Sequence, residues 1–171
     1  MKSFIRKSAI CLLVFVIALT SSRVDVSAAS KAKYTKAELK YLTAIIYCEA
    51  GNQPQKGKIA VANVVLNRVK NKRFPNTIKG VIYQKSQFSP TRTKSRKYRG
   101  LTNYEVALRK YSGQIKMTSS EKKQMASCKK AAISALTGKK VLSSKYLSFT
   151  AKSAVKRKGV KAVYIGGHGF Y

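Results

Sequence analysis

Ile45-Ile46-Tyr47-Cys48-Glu49-Ala50-Gly51 ends a predicted amphipathic helix with a carboxylic acid. Leu39, Leu42, Ile45 and Ile46 recur at helical spacing, and at about 100° per residue Glu49 falls on the same apolar side. Apolar surroundings disfavour the charged form of a carboxyl group and raise its pKa. A raised carboxyl pKa is what a general acid needs near neutral pH, so we interpret Glu49 as a proton donor. The alternative is a frayed surface glutamate, but the negative end of the helix dipole is a poor place for one.

Helices are predicted on both sides of this stretch. Thr35-Lys36-Ala37-Glu38 is a capping box that opens the first helix, and Gly51 ends it. Pro54 is expected to start a second helix, apolar on most sides and therefore central and buried, that runs to Val69. On it, Asn63 and Asn67 share a face, where they either line a cleft or hold loops.

Further helices are predicted in the second half of the chain. Asn76 is expected to cap a short helix from Thr77 to Tyr83, and another helix is predicted near Asn103 to Tyr111. A second capping box, Thr118-Ser119-Ser120-Glu121, opens a longer helix that Gly138 ends. Between them, Gln87-Phe88-Ser89-Pro90 is predicted to be a loop, and residues 91–99 carry five cations. Such a charge run is typical of a solvated loop, and it also fits a grip on an anionic polymer.

The C-terminal segment has the sequence patterns of strands. Tyr146-Leu147-Ser148-Phe149 and Val163-Tyr164-Ile165 alternate in polarity, which predicts two strands, with a turn at Lys156-Arg157-Lys158-Gly159. The expected fold class is α+β: a mostly helical domain with a small antiparallel β-sheet near the C-terminus.

The N-terminus has the layout of a secretory signal peptide. Lys2, Arg6 and Lys7 precede an apolar run, 9–19, and small residues follow at Val26-Ser27-Ala28-Ala29. We therefore expect a signal peptide over residues 1–29, a short basic tail over 30–37 and one catalytic domain over 38–171. The run is short for a permanent membrane span, and an uncleaved anchor is the alternative.

The charge is strongly positive. The chain has 36 basic and 5 acidic residues, and loss of residues 1–29 would leave 32 basic and 4 acidic residues, with no Asp. Such a field attracts polyanions, either nucleic acid or the anionic polymers of a bacterial wall. Export favours the wall, so no specific nucleic-acid partner is expected.

Cysteine and histidine are scarce. Cys48 and Cys128 would remain after export, either as a disulfide or as two buried free thiols. With one His and no Asp, a metal site has few ligands to draw on, so no metal or cofactor is expected.

Several motifs resemble one family, the SleB-like cell wall hydrolases, which include the spore-cortex-lytic enzymes of sporulating Gram-positive bacteria. The matching stretches cover roughly residues 38–171 and are 47–54, 57–69, 74–78, 80–84, 87–90 and 165–171. The resemblance implies a lysozyme-like fold, a lytic transglycosylase mechanism on peptidoglycan and a catalytic glutamate at Glu49. Phe149-Thr150 departs from the usual Phe-Asn of the family, and the loop 91–99 is richer in cations.

A single acid fits the sequence better than a pair. Ordinary glycosidases use two carboxyl groups about 5–9.5 Å apart. Glu38 lies about 16 Å along the same helix, and Glu121 already has a capping role. Glu105 is not excluded at this point. A hydrolytic muramidase and a catalytically silent, basic wall-binding protein are the alternative functions.

Aromatic and amide side chains suit a sugar cleft. The candidate substrate-binding residues are Gln87, Phe88, Tyr146, Phe149, Tyr164 and His168. For His168 the alternative is a hydrogen-bonded structural histidine. The expected protein is a secreted monomer at the cell wall of a Gram-positive type bacterium.

Overall fold

The computed structural model describes residues 34–171, so the predicted signal peptide lies outside the described residues. The predicted fold class is confirmed. The elements in chain order are α1 (Lys36–Ala50), α2 (Gln55–Lys70), α3 (Ile78–Tyr83), a 3-10 turn (Ser89–Thr91), α4 (Asn103–Tyr111), α5 (Ser119–Leu136), β1 (Phe149–Ala151), α6 (Lys152–Arg157), β2 (Val163–Ile165) and β3 (His168–Phe170).

Capping boxes open α1, α4 and α5. In each, a threonine side chain accepts a hydrogen bond from the backbone N–H three residues on, and a glutamate carboxylate accepts one from the threonine N–H. The pairs are Thr35 with Glu38, Thr102 with Glu105, and Thr118 with Glu121. Free N–H groups at the start of each helix are thereby paired.

The core is helical. α1 packs against α2, α4 and α5, and α2 packs against α5 and α3. As predicted, α2 is the central helix, and its buried face reaches almost all round. The fully buried core side chains of α1 and α2 include Leu42, Ile45, Ile46, Val61, Val64 and Val65.

Two asparagines of α2 hold the segment between α5 and the sheet. The Asn63 amide donates to Lys139 O and accepts from Val141 N–H at 2.8 Å. The Asn67 amide donates to the carbonyls of Ser143 and Tyr146. The structure therefore has the loop-holding alternative, and both asparagines also line a groove of about 280 Å³ that is separate from the cleft described below.

The sheet is antiparallel with strand order β1-β3-β2. Phe149 pairs with Phe170, and Ile165 pairs with His168 across a two-residue turn. The second strand was predicted correctly, but the first begins at Phe149 instead of Tyr146, and the central strand β3 was missed.

Other details of the prediction were wrong. Residues 156–158 do not form the turn between strands, because Lys152–Arg157 is a short helix that buries Val155. Thr77, not Asn76, caps α3, since its hydroxyl accepts from Gly80 N–H at 3.0 Å. Pro54 precedes α2 instead of lying in its first turn.

A glycine turn ties the sheet to the helices. Gly166 has a φ of 58°, and the next N–H, that of Gly167, donates to the Gln53 amide oxygen at 2.8 Å. Gln53 lies in the connection between α1 and α2, so this bond fixes the β2–β3 hairpin against the end of α1. Within residues 34–171, none of the helices has the length and apolar character that a membrane crossing requires.

Candidate active site

A cleft of about 270 Å³ opens where α1 and α2 meet the sheet. The C-terminal end of α1, one side of α2, the loop around the 3-10 turn, and strands β1 and β3 contribute its walls. The lining residues are Glu49, Arg68, Ser86, Gln87, Phe88, Ser89, Arg92, Phe149, Thr150, Ala151 and His168.

Glu49 is in the last turn of α1 and is half-buried. Burial raises the pKa of its carboxyl group from 4.5 to about 7. Within residues 34–171 the carboxyl group has neither a hydrogen-bond donor nor an ion-pair partner that would offset this effect. At neutral pH a substantial fraction of the Glu49 side chains therefore carries a proton that can be donated.

The other three glutamates are committed elsewhere. Glu38, Glu105 and Glu121 are each the third residue of a capped helix, and Glu121 also pairs with Lys110 at 2.5 Å. Hydrogen bonds from Thr102 hold the pKa of Glu105 below its usual value, so it is ionised. Among the described side-chain carboxyl groups, Glu49 alone reaches the cleft.

Four of the six candidate substrate-binding residues line this cleft: Gln87, Phe88, Phe149 and His168. The other two do not. Tyr164 is 40% exposed on the outer face of edge strand β2, because side chains alternate along a strand and its neighbour Ile165 takes the buried face. Tyr146 precedes β1 and borders a separate groove with Val163 and Tyr171.

An aromatic wall forms the sheet side of the cleft. The Phe149 ring lies 6.2 Å from the Phe88 ring and 5.3 Å, edge-on, from the His168 imidazole. His168 is half-buried, and burial lowers its pKa, so the imidazole is neutral at pH 7. Its Nδ1 is buried without a hydrogen-bond partner among the described residues. The structure therefore does not have His168 as a hydrogen-bonded structural histidine.

Arg68 is the main residue of this cleft that the sequence reasoning missed. A cation in the last turn of a helix is ordinarily explained by the helix dipole. Its spacing along the helix could have predicted its burial. Arg68 lies seven residues after Val61 and four after Val64, and both valines are fully buried, so Arg68 is on the same apolar face.

Ser86 was also missed. It has a φ of 66°, a left-handed conformation that is uncommon for residues other than glycine. Strain of this kind is concentrated at binding and catalytic sites, and here it shapes the loop that leads into Gln87 and Phe88.

Cys48 and Cys128 are free thiols in the structure, which is the second alternative left by the sequence. The Cys48 thiol points at Asn103 O, with 3.6 Å between the atoms. Burial raises the pKa of Cys48 to about 12 and that of Cys128 to about 11, so both are protonated. Across residues 34–171, His, Cys, Asp and Glu side chains nowhere gather in threes as metal ligands would.

Comparison with known proteins identifies relatives that match only about a third of this chain. Spore cortex-lytic enzyme of Bacillus cereus is 38% identical over 56 residues, which is 33% of this chain and 22% of that protein. The enzyme of the same name from Bacillus subtilis (strain 168) is 34% identical over 56 residues, 33% of this chain and 18% of that protein. The match thus spans about a fifth of the length of these relatives.

Solved structures share the fold. The catalytic domain of the Bacillus cereus SleB protein has a TM-score of 0.54 at 26% identity, covering 80% of this chain and 91% of that chain. The catalytic domain of the germination-specific lytic transglycosylase SleB from Bacillus anthracis has a TM-score of 0.53 at 24% identity, covering 80% and 95%.

The family model described as Cell Wall Hydrolase matches residues 52–171, most of the chain, and Glu49 lies just before the matched part. The resemblance seen in the sequence motifs is confirmed, and the chain belongs to the cell wall hydrolase family.

Proposed function

We propose that this protein is a secreted lytic transglycosylase that cleaves peptidoglycan between N-acetylmuramic acid and N-acetylglucosamine, with Glu49 as its sole acid and base. The observation that carries the proposal is the isolation of Glu49. It combines a pKa of about 7 with a position in a cleft, while capping boxes occupy the other described glutamates. The related Bacillus anthracis domain is a lytic transglycosylase, which supports the reaction type.

The reaction needs one proton carrier. Protonated Glu49 donates its proton to the glycosidic oxygen while the bond between that oxygen and the muramyl anomeric carbon breaks. The resulting carboxylate accepts the proton of the muramyl 6-hydroxyl as that oxygen bonds to the anomeric carbon. The product is a 1,6-anhydro sugar, and Glu49 ends in its starting protonation state. No metal or cofactor enters these steps.

A direct hydrolysis would need a second group to activate water. Inverting and retaining glycosidases both place two carboxyl groups about 5–9.5 Å apart across the scissile bond. The sequence left Glu105 open as the partner, but its carboxylate accepts hydrogen bonds from the Thr102 N–H at 2.6 Å and hydroxyl at 2.9 Å, and it does not line the cleft. This use of Glu105 favours the transglycosylase over the hydrolytic muramidase.

The cellular setting follows from residues 1–29 and from the charge. We infer cleavage of residues 1–29 as a signal peptide, action on peptidoglycan strands outside the cell, and attraction to anionic wall polymers through the positive surface. The protein would act as a monomer.

Replacement of one carboxyl group tests the catalytic role. Glu49→Gln should lower the rate of lysis of purified sacculi by about 10²–10⁴-fold, because an amide cannot donate the proton. Binding to the sacculi should be unchanged. The matched control is Glu105→Gln, which removes the same charge outside the cleft and keeps a capping side chain, since glutamine also serves at this position. Lysis at the normal rate by Glu49→Gln would overturn the proposal.

The products decide the reaction type. Mass spectrometry of muropeptides released by the wild-type protein should find 1,6-anhydromuramyl ends. Muramyl reducing ends, which contain one more water, would instead identify a hydrolytic muramidase acting through the same residue.

A further inference from the structure

Strand β2 lies at one edge of the sheet, and one of its sides is unpaired. The strand order β1-β3-β2 gives it a single neighbour, β3. Ile165 pairs with His168 across the two-residue turn, and at that separation the two residues exchange both of their backbone hydrogen bonds. Hydrogen-bonded and non-hydrogen-bonded pairs alternate along antiparallel strands, so the N–H and C=O of Tyr164 point away from β3. No other residue between 34 and 171 pairs with these two groups.

The same segment exposes apolar side chains. Among the described residues, four large apolar side chains are exposed, and three of them, Val160, Val163 and Tyr164, lie within residues 160–164. Side chains alternate along a strand, so Val163 is on the face of β2 that packs against α2. Tyr164 is on the opposite face, where the Lys152 ammonium group lies 5.7 Å from its ring. An unpaired strand edge with apolar side chains on both faces is a template for a further strand.

A groove of about 320 Å³ opens beside this strand and is called the edge groove below. Its lining residues are Lys145, Tyr146, Lys161, Ala162, Val163 and Tyr171. It shares no lining residue with the cleft that contains Glu49. When an extended peptide adds to a sheet edge, main-chain hydrogen bonds supply affinity and pockets for alternate side chains supply specificity. The edge groove is such a pocket, and two lysines belong to its lining.

The charge around β2 restricts what can bind there. No acidic residue follows Glu121 in the sequence. The exposed cations of the segments before and around β2 are Lys145, Lys152, Lys156, Arg157, Lys158 and Lys161. Pairing of β2 with the same strand of a second copy would bring these cations against their own copies, and such like-charge contacts are unfavourable. The lysines therefore protect the edge against self-association and favour an acidic partner.

We propose that β2 binds an extended acidic segment of a partner protein, which adds to the sheet as a fourth strand. The backbone of this segment pairs with the N–H and C=O of Tyr164. Its apolar side chains cover Val160 and Val163, and its carboxylates pair with Lys145 and Lys161 at the edge groove. A polysaccharide or phosphate polymer would use only the lysines, whereas a polypeptide also uses the free backbone groups and the apolar side chains. These features favour the polypeptide.

A synthetic peptide tests the proposal. The probe is a fluorescently labelled peptide of about nine alternating glutamate and valine residues, a length that spans the edge. Its control is the same peptide with N-methylated backbone amides, which keeps the side chains and the charge and removes the N–H donors. At about 0.15 M NaCl, where long-range attraction is screened, the protein should bind the unmodified peptide about tenfold more tightly. Fluorescence anisotropy measures both affinities.

Substitution of Tyr164 tests the position of the added strand. Tyr164→Pro removes the free N–H and breaks no bond to β3, because proline is tolerated on the open side of an edge strand. It should weaken binding of the peptide about tenfold or more. The matched control is Tyr164→Ile, which also removes the phenol but keeps the N–H, and its affinity should stay close to that of the wild-type protein.

A second pair of variants tests the charge. Joint substitution of Lys145 and Lys161 by glutamine should weaken binding about fivefold, as expected for two exposed ion pairs. Joint substitution of Lys122 and Lys123 by glutamine removes the same charge outside the edge groove and should have little effect. Equal weakening by both pairs would overturn the role of the edge groove, since the total charge alone would then attract the peptide.

A measurement on the unchanged protein covers the case in which Tyr164→Pro fails to fold. Saturation with the peptide should slow hydrogen exchange of the Tyr164 amide, because the added strand accepts its hydrogen bond. The Ile165 amide already donates to His168 and should change little. Lack of binding at about 1 mM peptide, equal affinity for the N-methylated peptide, undiminished binding by Tyr164→Pro, or unchanged exchange at Tyr164 would each overturn the proposal.

This test is separate from the test of catalysis, because the edge groove and the cleft have no residue in common. Glu49→Gln should therefore bind the peptide as the wild-type protein does. Lysis by Glu49→Gln would overturn the catalytic proposal alone, and failure of the protein to bind the peptide would overturn the strand-addition proposal alone.

Discussion

Glu49 differs from the other described glutamates in what surrounds its carboxyl group. Glu38, Glu105 and Glu121 accept hydrogen bonds from backbone N–H groups at helix N-termini. Hydrogen bonds from Thr102 lower the pKa of Glu105, and those from Lys110 and Thr118 lower the pKa of Glu121. Glu49 is at the opposite end of its helix, half-buried, with no such donor. The four side chains have the same chemistry, so the local environment alone makes one of them an acid near neutral pH.

The raised pKa of Glu49 predicts a pH-dependent stability. The carboxyl group has a pKa of about 7 in the folded protein against an ordinary value of 4.5, so the folded state binds the proton more tightly than the unfolded state. The stability associated with this group is therefore complete below about pH 4.5 and is lost as the pH rises to about 7. Glu49→Gln removes this dependence, and above pH 7 it should increase the free energy of unfolding by about 2–3 kcal/mol.

Urea unfolding of the two proteins at pH 5 and pH 8 measures this effect. The difference between wild type and Glu49→Gln should be small at pH 5 and should appear at pH 8. Glu38→Gln is the control, since its carboxyl group is exposed and accepts hydrogen bonds from Thr35. An equal difference at both pH values would mean that the substitution acts through packing and not through the proton.

The catalytic candidate could be predicted from the sequence, but its surroundings only partly. Glu49 continues an apolar stripe that is visible in the sequence, and Phe149 and His168 belong to segments with strand or glycine signals. Arg68 was hidden because a charged residue is assigned to the surface unless a partner in the sequence indicates otherwise. Its partners are a carbonyl from Leu147 and two rings, which only the tertiary fold brings together.

The helices were predictable because their signals are local. A capping box and the apolar period of α1 and α5 lie within one segment, and both helices begin where the sequence indicates. The sheet was harder because β3 has only three residues, His168–Phe170, with a glycine at the centre. That glycine is required by packing: a Cβ at Gly169 would lie 2.8 Å from the Val155 side chain of α6. No local sequence pattern predicts such a contact.

The turn between β2 and β3 gives a prediction for one glycine. Alanine at Gly166 would have to adopt a φ of 58°, and its Cβ would lie 2.5 Å from the Gln53 amide oxygen. The left-handed conformation costs about 1–2 kcal/mol. Movement of Gln53 would relieve the contact but would break its bond with Gly167 N–H, at a further cost of about 1 kcal/mol. We expect Gly166→Ala to lower the free energy of unfolding by about 2–3 kcal/mol.

Gly113→Ala separates the two contributions. Gly113 also has a positive φ, 75°, but a Cβ there would meet open space. This variant should therefore lose only about 1–2 kcal/mol. Chemical denaturation of both variants measures the difference, and equal losses would show that the bond between Gln53 and Gly167 contributes nothing to stability.

The charge of the chain as a whole is far from balance, with 36 basic and 5 acidic residues. Because α1, α4 and α5 use three of the acids in their first turns, few are left to neutralise the surrounding lysines and arginines. The field of the protein is therefore positive over long distances, and a polymer with many negative charges is drawn toward it. The loop 91–99 brings part of this charge to the cleft, since Arg92 belongs to both.

Wall binding should consequently depend on salt and on the position of the charges. Glu49→Gln leaves the wall undigested and is used throughout. Its retention on sacculi that keep their anionic polymers should fall roughly tenfold or more between about 0.05 and 0.3 M NaCl, because counterions compete for the same charges.

Joint substitution of Arg96, Lys97 and Arg99 by glutamine should weaken retention more than joint substitution of Lys156, Arg157 and Lys158, although both remove three exposed charges. Equal weakening would mean that the total charge attracts the wall and that the loop has no special part, whereas retention that is insensitive to salt would contradict the electrostatic origin altogether.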